Sequence, residues 1–375
     1  MPRIKVLHPL SAWGGGHVQT CINILKGMAR AGAEVHLELP RTRVDMGAVP
    51  YRASVRPPVD RFGIRRLEPG LRRMAEWRFL KDLRDDDIAW LWPAVPVEIY
   101  REVARRGNPI LMEGINTRIA NARRILEPIH EAEGLPPPYT PPYPEIDEDE
   151  MLSLASWFYA PNPHVVSAVE APDSGFRGRV LPTSYGAWMR DGRATDRRDR
   201  DRVTVLFVGT LCIRKNTQGL LRAWRRLNPA NARLVLCGPV EDLLARVCAE
   251  DLSHPTVEAR GRVSDVASAY AEADVFVMPS FEEGGPQVTF EAATFGLPLI
   301  ASPMGGGGME EKTDAIWPID PYDEDAIIAA LERFIGDAEL RAEYGARAYA
   351  AAPVFDWDVV GRTRFEMLES ARNRV

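Results

Sequence analysis

Residues 279 to 302 read PSFEEGGPQVTFEAATFGLPLIAS, and the order of elements in this stretch decides the fold. It follows Val275-Phe276-Val277-Met278, an apolar run that reads as a buried parallel strand. Glu283-Gly284-Gly285-Pro286 is a loop without bulky side chains, where a ligand could sit. Val288 to Phe295 reads as a short helix carrying Glu291, stopped by Gly296 and followed by Pro298 and a second buried strand, Leu297 to Ala301. With a helix start near Gln287, Glu283 in the loop and Glu291 on the helix can face one cleft at the carboxyl ends of the strands. Two such carboxylates repel and need hydrogen-bond donors between them. Sugar hydroxyls are donors of that kind, and the free N–H groups at the helix start favour a phosphate beside them.

Working outward, the second half of the chain repeats this alternation. Val203 to Val208 is an apolar strand, followed by Gly209-Thr210-Leu211-Cys212-Ile213-Arg214-Lys215-Asn216 and a helix from about Thr217 to Leu227. A lysine after a strand and at a helix start is a good diphosphate partner and would stabilise a departing nucleoside diphosphate. Arg233 to Cys237 is the next strand and ends at Gly238; Val257 to Val263 is a strand and turn, and Val266 to Ala273 a helix. Helices are expected over 323–334, 338–350 and 356–372.

The first half opens the same way. Ile4 to His8 reads as a strand and Gly14-Gly15-Gly16 as a loop. His17 to Arg30 reads as a helix with apolar Val18, Cys21, Ile22, Leu25 and Met28, and Glu34 to Leu39 as a strand. Only Gly14 and Gly16 fit the dinucleotide pattern and no acid ends the second strand, so the loop does not read as an NAD site. His17 could touch a ligand, cap the helix or be solvated. Asp87 to Trp92 and Asn108 to Met112 are further strands, and a helix starting near Glu150 is expected to run through Trp157. Asp147-Glu148-Asp149 fits the metal-binding D-x-D pattern. It lies at that helix start rather than after a buried strand, so it reads as dipole complement, and Asp85-Asp86-Asp87 is set aside likewise.

At 375 residues the chain exceeds one ordinary core and should form two domains. Hydrophobic residues at 45% and charged residues at 27% are those of a globular protein, and a net charge of −6 argues against nucleic-acid binding. Cys21, Cys212, Cys237 and Cys248 have neither disulfide-framework nor zinc spacing. A cytoplasmic setting is expected, with no leader, no membrane span and no metal. Arginines and lysines from Arg61 to Arg84, interleaved with Leu71, Met74 and Trp77, could lie on an anionic membrane face or simply form a solvated helix face paired with Glu68, Glu76 and Asp82.

Pro279-Ser280, Glu283-Gly284, Glu291-Ala292, Gly296-Leu297-Pro298 and Ile300-Ala301 together resemble the E-x7-E motif of retaining glycosyltransferases with the GT-B fold, in the family 4 type that uses sugar nucleotides. The resemblance implies an α/β protein of two Rossmann-like, doubly wound parallel-sheet domains facing a cleft. The boundaries would be an acceptor-side domain over 1–186, a linker over 187–202, a nucleotide-sugar domain over 203–354 and a helix over 355–375 crossing back to the first domain. It implies transfer of a hexose-like sugar from a nucleoside diphosphate to a hydroxyl of a glycan, lipid-linked or small-molecule acceptor, with no cofactor or metal. A nucleotide-sugar epimerase or a non-catalytic sugar-nucleotide-binding subunit are the alternatives. Glu283, Lys215 and Arg214 would carry the chemistry, Arg214 standing in for an arginine replaced here by Thr210. Gly15, Gly16, Gly209, Gly238, Arg262, Val263 and the run Gly284, Gly285, Pro286, Gln287 and Val288 would approach the donor, with Glu291 on its ribose. Histidines usual on the acceptor side are replaced by Trp92 and by Glu113-Gly114-Ile115-Asn116-Thr117-Arg118. There His17, Trp92, Glu113, Asn116 or Arg118 could contact sugar. Contact with the inner membrane face would be peripheral.

Overall fold

The computed structural model describes residues 2–12, 16–55, 64–138, 147–190 and 202–373. Gly14, Gly15, Arg61 and most of the charged run 190–202 lie outside the described residues. The chain divides into two compact units. Unit 1 joins Met1–Ile119, Tyr139–Thr183 and Trp357–Val375; unit 2 joins Ala120–Pro138 and Ser184–Asp356. Residues 120–138 thus group with the second unit rather than the first, and Arg222 there pairs with Glu133 and Glu324, each at 2.7 Å.

Unit 1 is built on seven parallel strands: β1 Ile4–Leu7, β2 Val35–Leu39, β3 Tyr51–Ala53, β4 Ile88–Leu91, β5 Ile110–Glu113, β6 Trp157–Ala160 and β7 Arg179–Pro182. Their order is β3-β2-β1-β4-β5-β6-β7. A parallel sheet is covered on both faces, so its strands read as continuous apolar runs; β1, β4, β5 and β6 are buried along their full length. The expected helix through Trp157 is corrected. It spans Glu148–Leu154, ends at Ala155 in extended backbone, and Trp157 begins β6. Aromatic and β-compatible Trp157-Phe158-Tyr159 gain more as a central strand than as a further helical turn.

Unit 2 carries β8 Val203–Val208, β9 Ala232–Cys237, β10 Val257–Gly261, β11 Val275–Met278, β12 Leu299–Ala301 and β13 Ile316–Pro318, all parallel, in the order β10-β9-β8-β11-β12-β13. Both sheets reverse their winding beside their first strand, the doubly wound arrangement in which ligands sit at the carboxyl ends near the reversal. The helix Trp357–Arg372 completes unit 1, packing against Gly16–Arg30 so closely that Gly27 and Gly361 meet backbone to backbone.

The acids of 147–149 have structural partners. Asp147 caps the Glu148–Leu154 helix by accepting from Glu150 N–H at 3.0 Å, Asp149 pairs with Arg118 at 2.9 Å, and Glu148 accepts from Ile119 N–H at 2.6 Å. Burial pushes the Glu148 carboxyl from 4.5 up to about 7, against that N–H and the Arg118 charge. The folded state therefore holds this proton more tightly than the unfolded chain. The associated stability is present below about pH 4.5 and lost as pH rises through about 7. Glu148→Gln is expected to abolish this slope, gaining about 1 to 3 kcal/mol over wild type between pH 5 and pH 8, as read from urea unfolding at the two pH values. Parallel stability curves for the two proteins would refute it.

Candidate functional site

In unit 2 the loops after β10, β9, β8 and β11 leave adjacent strands at one edge of the sheet, which gathers residues far apart in sequence. Gly209 follows β8 and Gly238 follows β9, with Gly238 N–H donating to Gly261 O at 2.8 Å. Gly238 has φ +152°, and a Cβ there would lie 1.9 Å from Gly209 O, so only glycine fits. Past half-buried Thr210, the turn Ile213–Lys215 ends on Asn216 in the left-handed region. Arg214 O then accepts Phe281 N–H at 3.0 Å, clamping the β8 loop to the β11 loop.

This clamp assembles a charged cluster. Glu283 is 6% exposed and hydrogen-bonded to Lys215 Nζ, itself 9% exposed. Arg214 Nη1 stands 3.2 Å from Glu283 Oε1 and 3.3 Å from Glu282 Oε2. Burial alone would raise the Glu283 carboxyl; Arg214 and Lys215 outweigh it and hold the group below the usual carboxylate value. Burial likewise opposes the Arg214 charge, and Glu283 and Glu282 more than offset it, so the guanidinium is held above its ordinary value. Glu282, unremarked in the sequence, is thus the fourth member. Two cations and two carboxylates stand ready with their charges balanced.

Glu291 lies on the helix Gln287–Thr294 and is held by other neighbours. Tyr270 Oη is 2.8 Å from Glu291 Oε2 and 3.2 Å from Val288 O. Burial raises the Glu291 carboxyl, against the Tyr270 hydrogen bond and the Arg190 charge. A cavity of about 650 Å3 opens here, lined by Glu291, Tyr270, Phe295, Arg190 and Trp188. The Arg190 guanidinium stacks 4.4 Å from the Phe295 ring centre, with the Tyr270 ring 5.1 Å away on it. That volume is of the size that holds a small organic ligand. Gly285, between the cluster and this helix, lies against Tyr185, whose ring a Cβ would approach to 2.3 Å. Gly284 and Pro286 are buried and Gln287 and Val288 half-buried beside it. Arg262, exposed, and Val263 follow β10 at the sheet edge. Arg190 and Tyr270 carried no motif signal, because each meets its partners only through the fold.

The residues offered for acceptor contact in unit 1 are placed differently. Trp92 is fully buried against His8 and Trp90, at ring distances of 5.3 and 5.7 Å, with no face left for a sugar. Glu113 is fully buried in a two-pronged bond to Arg364, at 3.0 and 2.9 Å. Arg118, 4% exposed, spans Asp149 and Asp173 at 2.9 and 3.2 Å. The expectation of sugar contact is corrected for these three, since all are buried, Glu113 and Arg118 against charged partners of the unit and Trp92 among aromatic rings. Asn116 is half-buried in a bend, Gly16 opens its helix exposed, His17 is half-buried, and Gly15 lies outside the described residues.

Among the described residues no helix is long and apolar enough to cross a membrane. Residues 202–337 match the family described as Glycosyl transferases group 1. The chain is 33% identical over 163 residues to O-antigen chain mannosyltransferase B of Escherichia coli, covering 41% of this chain and 42% of that protein. It is 29% identical over 187 residues to a D-inositol 3-phosphate glycosyltransferase of Xylanimonas cellulosilytica, covering 46% and 44%. The matches thus span less than half the length of these relatives. Among solved structures it is similar to Anabaena HepE in complex with UDP and glucose, with a TM-score of 0.66 at 16% identity over 99% of this chain and 100% of that one. The sucrose-phosphate synthase of Thermosynechococcus elongatus gives 0.68 at 16% over the whole of both. The two parallel-sheet α/β units and these neighbours give the chain the GT-B fold of glycosyltransferases.

Proposed function

We propose that this protein is a retaining glycosyltransferase that moves a hexose-like unit from a nucleoside diphosphate sugar to an acceptor hydroxyl without a metal. The observation that carries the reading is the Arg214, Lys215, Glu282 and Glu283 cluster at adjacent strand ends, inside the stretch that matches the glycosyl transferase family. A diphosphate entering there would draw Arg214 and Lys215 from their carboxylates, and the two cations would then offset the charge that grows on the leaving group. Glu283, released, would accept from the donor sugar hydroxyls. Glu291, partly held by Tyr270 in a cavity of nucleoside size, would take the ribose hydroxyls, and the amides of Gly284 and Gly285 would face the phosphates. The named relatives, a mannosyltransferase and a D-inositol 3-phosphate glycosyltransferase, support glycosyl transfer as the reaction class.

A thermal-shift panel of UDP-, GDP-, ADP- and dTDP-sugars tests the donor, since selective binding raises stability by mass action. With the selected donor, Glu291→Ala is expected to raise KM by about tenfold or more with a smaller effect on kcat, whereas Glu283→Ala mainly lowers kcat. Activity should survive chelation of divalent metals. Wild-type transfer by both variants, or an isomerised nucleotide sugar formed from donor alone, would sink this reading.

A further inference from the structure

Arg214 is held at one nitrogen and open at the others. Its Nη1 donates to Glu282 O at 2.8 Å and lies 3.3 Å from Glu282 Oε2 and 3.2 Å from Glu283 Oε1, so three oxygens of two consecutive residues surround a single nitrogen. In return, Arg214 O accepts Phe281 N–H at 3.0 Å and Glu282 N–H at 3.4 Å. Glu282 is 1% exposed, whereas the Arg214 side chain is 26% exposed. Arg214 Nε and Nη2 make no hydrogen bond or ion pair among the described residues, and neither is a buried atom without a partner, so their edge of the guanidinium reaches solvent.

That edge carries two parallel N–H donors, the pair that takes two oxygens of one oxyanion. Arg105 uses the same two nitrogens in this chain, with Nε and Nη2 at 2.8 and 2.9 Å from the carboxylate oxygens of Glu102. Such a fork binds with both prongs only when its plane is fixed, because turning the guanidinium moves one donor off its acceptor. The backbone oxygen of Glu282 fixes where Nη1 sits. The carboxylate of Glu282, reaching the same nitrogen, fixes how the plane is turned about it.

We propose that Glu282 is a positioning residue, which keeps Nη1 anchored so that the Nε–Nη2 edge of Arg214 meets two oxygens of one phosphate of the donor. The inference rests on the glycosyl-transfer reading for the identity of that ligand as a nucleoside diphosphate. Of the two carboxylates about Arg214, the one given up when the donor enters is Glu283; Glu282, on the Nη1 side, keeps its hold. This role gives Glu282 an effect opposite in sign to its charge. A carboxylate beside a phosphate site repels the anion, so deleting the charge alone would tighten binding. Deleting a residue that aims the fork weakens it.

The test titrates the full chain by calorimetry with pyrophosphate, UDP, GDP, ADP and dTDP, each variant first checked for a cooperative urea transition. Glu282→Ala is expected to weaken pyrophosphate, and whichever nucleoside diphosphate binds the wild type, by about tenfold. Glu282→Gln, which keeps an oxygen for Nη1, should stay within about threefold of wild type. In an Arg214→Gln background Glu282→Ala should add no further loss, a dependence that a merely structural glutamate would not show. Should Glu282→Ala fail to fold, Glu282→Asp, which draws the carboxylate back by one methylene, takes its place with the same expected loss. Unchanged or tighter binding by folded Glu282→Ala, or an equal loss with Arg214 already replaced, overturns the positioning role and leaves the function proposed above intact. Wild-type binding of pyrophosphate but of no nucleoside diphosphate counts against that function, and the same variants still decide the role of Glu282 with pyrophosphate. Binding of neither overturns both.

Discussion

Lys215→Ala is expected to lower the rate of sugar transfer by about 100- to 1,000-fold, the loss typical when one preorganised charge stabiliser is removed from a reacting centre. The argument rests on where the lysine sits. Its ammonium is nearly buried and bonded to Glu283, so it reaches the site with its conformational freedom already spent and little water to shed. A group of this kind acts on charge that develops during reaction more strongly than a solvated one. Removing it leaves Glu283 beside Arg214 at 3.2 Å and costs about 1 to 3 kcal/mol of stability, so a urea midpoint must accompany the kinetics. The fall should appear mainly in kcat. Lys215→Arg is expected to recover only part of it, because the planar guanidinium keeps the charge and alters the reach. A folded Lys215→Ala protein that turns over at the wild-type rate would remove this residue from the mechanism.

Arg364→Leu is expected to destabilise unit 1 by about 3 to 5 kcal/mol, the range for stripping one partner from a buried ion pair. Arg364 and Glu113 are both fully buried. The guanidinium also stands 4.8 Å over the Tyr159 ring, and Tyr159 Oη donates to Arg364 O at 2.6 Å. With the arginine gone, the Glu113 carboxylate must be protonated, hydrated or left unpaired. The double variant Glu113→Leu with Arg364→Leu should recover much of the loss, since deleting both charges removes the orphan. Urea unfolding of the wild type, both single variants and the double variant forms the cycle that measures the coupling. Additive effects would show that the pair is not energetically linked.

Much of the fold was readable because parallel strands buried on both faces are apolar runs, and Val203 to Val208 or Val275 to Met278 cannot be anything else in this alternation. The short edge strands were not: Tyr51–Ala53 contains an arginine and Ile316–Pro318 ends in proline, and each has only three residues to show a pattern. Trp157 was misread because no glycine or proline separates it from the preceding helix. At the site, Glu283 and Glu291 could be named from their spacing and surroundings. That Lys215 meets Glu283 across 68 residues is a property of strand order, since β8 and β11 are neighbours in space and not in sequence. Two of the acceptor-side readings changed for a related reason. Glu113 and Arg118 look available in sequence, and only the fold shows the charges already set against them.

The pairing of Glu113 with Arg364 spans 251 residues, and all of unit 2 is synthesised in between. A nascent chain that has emerged through β7 holds every strand of the first sheet, yet lacks the helix that covers Gly16–Arg30 and the cation that neutralises the buried carboxylate at the end of β5. Unit 2, including residues 120–138, is fully synthesised before that helix appears. Its sheet can therefore close on the ribosome while the first sheet waits, incompletely covered, for the helix Trp357–Arg372 to emerge. The order of synthesis and the order of completion run in opposite directions along this chain.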